Sequence, residues 1–174
     1  MGDTARSAPI IVAADLGAAD FAWLDRLRRE HFPPDRNVVP AHITVFHHLA
    51  PSLLAELDSR LRAEMRTAPR PVATIGEPLL LARGVALRVR SEGLVAIRER
   101  LADAFDGLLT PQDAAAWRPH VTIQNKVDPA AAGRLHAELT QAFPRARPLD
   151  VVGLATFYYR DGPWEPVARY RFAG

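Results

Sequence analysis

The chain of 174 residues contains no cysteine. Disulfides, zinc–thiolate centres and thiol nucleophiles are therefore excluded, and a reducing cytoplasm suits such a composition. No apolar run approaches the length of a membrane span. The short run Pro9–Ala14 is followed at once by Asp15, so neither a secretory leader nor a membrane anchor is expected. Charge of one sign is also lacking. Lys+Arg number 22 against Asp+Glu 20, a balance of +2 that is too mild for bulk nucleic-acid binding. Lysine is scarce and arginine abundant, which suits phosphate recognition but equally reflects a coding habit. There is no low-complexity stretch and no flexible linker. What remains is 48% hydrophobic, enough for a real interior, in a length that fits one domain or two small lobes sharing a core.

Periodicity divides this chain into alternating strands and helices. Ile10–Ala14 reads as a buried strand. Asp20 is placed to cap a helix reaching His31, with Phe21, Leu24 and Leu27 at helical spacing, and Pro33-Pro34 end it. A strand is expected over 41–49, and a helix over 53–67 capped by Ser52 with Leu57, Leu61 and Met65 on one face. Three β segments, 71–76, 78–83 and 84–90, precede a helix over 92–107 capped by Ser91. Residues 108–118 read as loop, and 119–126 as strand. Asp128-Pro129 starts a helix reaching Phe143. Strands 149–159 and 165–172 flank a turn at Asp161-Gly162. The two halves thus read as a strand–helix–strand–helix unit repeated with insertions, packed together rather than strung out.

One tetrapeptide occurs twice in this frame. His42-Ile43-Thr44-Val45 returns as His120-Val121-Thr122-Ile123, with Pro40 and Pro119 just upstream. On a strand, residues i and i+2 face the same way, about 7 Å apart. Each copy then offers a histidine and a threonine on one face, with two β-branched residues anchoring the other. Imidazole is the natural proton shuttle near neutral pH. Two of them allow a base and an acid to act on opposite sides of one phosphorus, with His120 expected as base and His42 as acid. Threonine hydroxyls can donate to the non-bridging oxygens where charge builds. A lone His-x-Thr in a strand is ordinarily structural; two matched copies are not ordinary. The competing reading of the same groove is a nucleotide- or RNA-binding module without turnover.

Around these four residues lie secondary candidates. Lys126 shares strand parity with His120 and Thr122, and Phe46 shares it with His42 and Thr44, which suits phosphate contact and base stacking respectively. Arg36 and Arg118 precede the two motifs and are positioned to line a groove mouth. Tyr158, Tyr159, Arg160 and Trp164 cluster about the last hairpin, where packing competes with base contact. The adjacent His47 and His48 point apart on a strand and read as a solvated strand end. His31 and His136 read as helix-surface residues.

The paired motifs, His42-Ile43-Thr44-Val45-Phe46 and His120-Val121-Thr122-Ile123, together with the ending Val151–Tyr159, resemble the two-histidine (2H) phosphoesterase superfamily. The branch they look most like is that of 2′-5′ RNA ligases and RNA 2′,3′-cyclic phosphodiesterases. The resemblance spans the chain from Ile10 to the final strand. It implies an α+β fold, a single bilobal domain over 1–174, with two antiparallel sheets and flanking helices related by a pseudo-twofold around a central cleft. It implies His42, Thr44, His120 and Thr122 as catalytic set, with no metal and no cofactor, acting on an RNA terminus or a small cyclic nucleotide, and 2′-5′ ligation as the same chemistry reversed. A cytoplasmic monomer is the accompanying expectation. Many RNA-acting members carry arginine two residues after the second motif. Here that residue is Asn125, which favours a small-nucleotide substrate.

Overall fold

A computed structural model describes residues 8–174. The order is β1 (Ile10–Leu16), α1 (Ala18–His31), β2 (Thr44–Leu49), a 3-10 turn at Pro51–Leu53, α2 (Leu54–Thr67), β3 (Ala73–Leu81), β4 (Gly84–Arg90), α3 (Glu92–Ala104), α4 (Pro111–Ala114), β5 (His120–Gln124), α5 (Pro129–Ala142), β6 (Arg147–Leu149), β7 (Val151–Tyr158) and β8 (Glu165–Arg171). The strands form two four-stranded sheets, β2-β1-β7-β8 and β5-β4-β3-β6, antiparallel throughout. The α+β architecture of two antiparallel sheets with flanking helices is therefore as expected. Among the described residues no helix is long and apolar enough to cross a membrane.

Both motif strands, β2 and β5, are sheet edges, and each pairs with the first strand of its own half, β1 or β4. The halves run β1-α1-β2-α2 and β4-α3-β5-α5, with the short α4 inserted in the second. The helices form because apolar residues recur at helical spacing and meet the sheets. α2 buries Leu57, Leu61 and Met65, and α5 buries Ala132, Leu135 and Leu139. Each large side chain so buried contributes about 1.5–3 kcal/mol. One continuous apolar cluster joins Ile10, Val12 and Leu154 of the first sheet to Val85, Leu87 and Val121 of the second.

Two of the expected caps are made: the side chains of Ser91 and Asp128 accept from Leu94 N and Ala131 N. Two are not. Asp20 lies inside α1, whose N-cap is Gly17; its carboxylate instead accepts from the backbone N of Asp150 at 2.7 Å. Ser52 falls within the 3-10 turn, and α2 starts without a side-chain cap. The two segments expected at 71–76 and 78–83 are one strand, β3, interrupted by a bulge: the register slips between Gly76 and Pro78, and Glu77 takes φ 44°. The loop at 108–118 contains α4.

Candidate active site

β2 begins at Thr44, so His42 stands just before the strand. Pairing nevertheless continues past that point, because Ala14 N donates to the Ile43 carbonyl at 2.9 Å. In the second copy His120 opens β5, and Val89 N donates to the Pro119 carbonyl at 2.9 Å. Ile43, Val45, Val121 and Ile123 are fully buried, whereas His42, Thr44, His120 and Thr122 are partly exposed. The split of each motif into an anchoring pair and an accessible pair is thus present in both copies.

The imidazoles are fixed in the same way. His42 Nδ1 lies 2.8 Å from the Pro40 carbonyl, and His120 Nδ1 lies 2.7 Å from that of Arg118. A carbonyl only accepts, so each Nδ1 carries the hydrogen, and each neutral ring keeps its lone pair on Nε2. Both acceptors lie two residues upstream, in the segment that leads into the motif. No protein hydrogen bond to either threonine hydroxyl is present among the described residues.

The surroundings of the two rings differ. Trp164, from the β7–β8 turn, packs on His42 with ring centroids 4.4 Å apart, and Phe157 continues the stack at 5.5 Å from Trp164. Burial pushes the His42 imidazolium down to about 4. The Pro40 carbonyl opposes this, while the positive charges of Arg28, His120 and His47 add to it. His42 is therefore neutral at pH 7, and His120 lies within its electrostatic reach. A cavity of about 400 Å³ flanks His42 and includes Asp15, Phe157 and Trp164. Another of about 650 Å³ flanks His120 and includes Arg88, Trp117 and Arg118. Arg88 is the cross-strand partner of His120, so the two side chains rise from the same face of the second sheet.

Side chains from the opposite half hold the outer edge of each motif strand. Arg28 of α1 is buried. It donates through Nη1 to the Thr122 carbonyl at 3.0 Å and through Nε to Asn37 Oδ1 at 2.8 Å. Arg98 of α3, also buried, donates through Nε to the Val45 carbonyl at 3.3 Å and through Nη2 to the Asp113 carbonyl at 2.5 Å. Trp117 Nε1 donates to the Thr44 carbonyl at 2.9 Å. Asp113, fully buried in α4, accepts from the backbone N of His47 and His48 at 2.8 and 2.9 Å, and pairs with His47 Nδ1 at 3.1 Å. Burial alone would raise the Asp113 carboxyl; the His47 side chain and the two N–H donors hold it below the ordinary range. These contacts satisfy the exposed edges of β2 and β5 and tie each motif to the other half of the chain.

Several sequence-based placements are corrected. Phe46 does not share the Thr44 face: the register slips on both sides of Val12, which aligns with Phe46 while Ala13 aligns with Thr44. Phe46 is consequently fully buried under the Arg98 guanidinium, 4.6 Å from its centroid. Lys126 lies past the end of β5 with φ 63°, its N bonded to Asn125 Oδ1 at 2.8 Å, so strand parity does not carry it beside His120. Tyr158 pairs with Ile10, on the opposite face of the first sheet from Phe157, and lines a cavity beside α2. Arg118 is exposed beside His120, its carbonyl orienting the ring. Among the described residues the Arg36 side chain pairs with its neighbour Asp35, at 3.8 Å. His47 is pinned to Asp113 rather than solvated, and half-buried His136 donates from Nε2 to the Pro78 carbonyl at 3.1 Å.

Comparison with known proteins agrees with this architecture. The family model described as the 2′-5′ RNA ligase superfamily matches residues 17–163. The fold is similar to TT0787 of Thermus thermophilus, at 15% identity and TM-score 0.65, covering 95% of this chain and 98% of that one. It is also similar to E. coli LigT complexed with 3′-AMP, at 17% identity and TM-score 0.62, covering 97% and 99%. No curated protein matches the sequence.

Proposed function

We propose, since this chain belongs to the 2′-5′ RNA ligase superfamily, that it opens 2′,3′-cyclic phosphates of RNA ends or small nucleotides by acid–base action of His42 and His120. The observation that carries this reading is the mirrored fixing of the two rings, each with Nδ1–H on a carbonyl two residues upstream and Nε2 left for proton transfer. A 3′-nucleotide in the similarly folded LigT supports a nucleoside phosphate as ligand.

In this scheme one imidazole takes a proton from water as its oxygen bonds to phosphorus. The other protonates the ribose oxygen as its bond to phosphorus breaks. Thr44 and Thr122 donate to the non-bridging oxygens as their charge grows. The scheme itself calls for no metal, and with an RNA 5′-hydroxyl attacking in place of water the same ring opening is 2′-5′ ligation. The environment of His42 favours the opposite assignment of roles from the one expected from sequence. A ring whose imidazolium is pushed down to about 4 arrives unprotonated and suits the base, leaving His120 as the acid.

The test is turnover of 2′,3′-cyclic nucleotides in excess EDTA. Wild-type protein should turn over with a bell-shaped pH profile. His42→Ala and His120→Ala should each lose about 10²–10⁴-fold in rate. Full activity in both variants would refute the assignment. Tight nucleotide binding with no product would make the groove a binding module.

A further inference from the structure

We propose that the cavity beside His42 is a nucleobase subsite that selects guanine through the carboxylate of Asp15. The inference rests on the nucleotide reading above and adds the identity of the base. The register of the first sheet puts the side chains of Ala13 and Asp15 of β1 on the same face as Thr44, with Ala155 and Phe157 of β7 beside them. Ala13 and Ala155 are small, and the glycine paired with Asp15, Gly153, has no side chain, so the floor of this face is shallow, with Arg169 and Arg171 of β8 at its border. Around it stand the Phe157–Trp164 pair and Phe21 of α1, which is 38% exposed although aromatic. The cavity these residues share, about 400 Å³, lies within the range of small-molecule sites. A shallow floor with aromatic walls fits a planar π-system.

Asp15 gives the cavity its selectivity. Its side chain is only 11% exposed, yet Oδ2 is buried with no hydrogen-bond partner. Arg171 Nη2 forms an ion pair with it at 3.9 Å, outside hydrogen-bond range. A buried carboxylate oxygen left without a hydrogen bond is costly, and an ionised carboxylate accepts only. The matching ligand edge is therefore one of donors. Guanine presents N1–H and the N2 amino group side by side. Adenine and cytosine present one amino group beside a ring acceptor. Uracil presents one N–H between two carbonyls, which the carboxylate repels.

The experiment is calorimetric binding of 3′-GMP, 3′-AMP, 3′-CMP and 3′-UMP to the protein and to Asp15→Asn, with thermal melts to confirm folding. We expect 3′-GMP to bind tightest, by about ten-fold or more over 3′-UMP, and the preference to collapse in Asp15→Asn as 3′-GMP binding weakens and 3′-UMP binding does not. Equal affinities, no binding, or a ranking that survives Asp15→Asn would overturn the subsite. The ranking in the unaltered protein decides the matter if the variant folds poorly. Turnover of the four cyclic nucleotides, measured in parallel, separates the two proposals. A guanine preference in binding without turnover keeps the subsite and removes the phosphodiesterase. Equal turnover of all four, unaffected by Asp15→Asn, does the reverse.

Discussion

Replacing Arg28 with methionine keeps an unbranched stem but removes a guanidinium that stacks on the Phe32 ring and touches both halves of the protein. Two hydrogen bonds go, to the Thr122 carbonyl and to Asn37. Bonds from a charged donor are worth about 1.5–3 kcal/mol each. Part of that loss is offset because a cation no longer has to be buried; the burden is visible in Arg28 itself, which burial pushes down to about 10 against the pull of Asp25. A net loss of about 2–4 kcal/mol follows, which at this chain length lowers Tm by about 5–10 °C. The second effect is electrostatic. The Arg28 charge disfavours protonation of His42, but burial is the larger cause. His42 in Arg28→Met should therefore titrate above about 4 and still below the ordinary 6.5. The assay is NMR titration of the His42 ring protons, assigned by their loss in His42→Gln, with urea melts alongside. A loss of stability with an unmoved or lowered His42 titration would refute the electrostatic link. A moved titration without loss of stability would refute the claim that Arg28 ties α1 to β5.

The same His42 shift predicts how stability depends on pH. The unfolded ring protonates near 6.5 and the folded one near about 4, so the unfolded state binds the extra proton between those values and stability falls as pH drops through that window. The gap corresponds to about 3 kcal/mol, and urea melts at pH 7 and pH 4 should show a dependence that His42→Gln flattens. Asp113→Asn removes one of two charged acceptors that hold the backbone of His47 and His48. It should cost about 2–3 kcal/mol by chemical denaturation. Because the folded Asp113 carboxyl is held low, its stabilising effect should be present above the ordinary carboxylate range and disappear as pH falls through the folded value. Gly153→Ala would bring a Cβ within 1.9 Å of the Tyr170 carbonyl oxygen, so the β7–β8 ladder must shift. A thermal melt should report a loss of about 3 kcal/mol, and a wild-type Tm would refute the packing.

Much of the site was legible because its information is local. The two motifs, their anchoring β-branched residues, and the Ser91 and Asp128 caps all lie within a few residues of their partners. What escaped the sequence depends on contacts made far along the chain. Arg28 and Thr122 are 94 residues apart, and Arg98 and Val45 are 53 apart. An arginine in a helix reads as a solvated face until its acceptor, a carbonyl on a sheet edge, is placed beside it. Asp113 escaped for the same reason, lying in four helical residues within an apparent loop. Parity misplaces Phe46, because bulges in the β1–β2 pairing turn it inward. Only its place in the cluster about the last hairpin singles out Tyr158 in the sequence, and the β1–β7 register gives the Thr44 face to Phe157 instead.

The repeat itself carries no information about which half does what; any difference between the halves comes from neighbours the repeat does not include. Both rings are held by the same bond to a carbonyl two residues upstream, so tautomer and orientation are common to the two halves. The difference lies in what adjoins each ring. His42 is covered by Trp164, depressed by burial, and flanked by a cavity that holds Asp15 together with Arg169 and Arg171. His120 has Arg88 as its cross-strand neighbour and exposed Arg118 beside it. The matched pair of imidazoles thus stands in unmatched surroundings, aromatic rings and a buried carboxylate on one side and a sheet-face arginine on the other. On this reasoning, exchanging the environments should exchange the roles. Trp164→Ala, by admitting water to His42, should raise its titration toward 6.5. The acidic limb of the pH–rate profile should move up with it, and a limb that stays in place while the NMR titration moves would assign the base to His120.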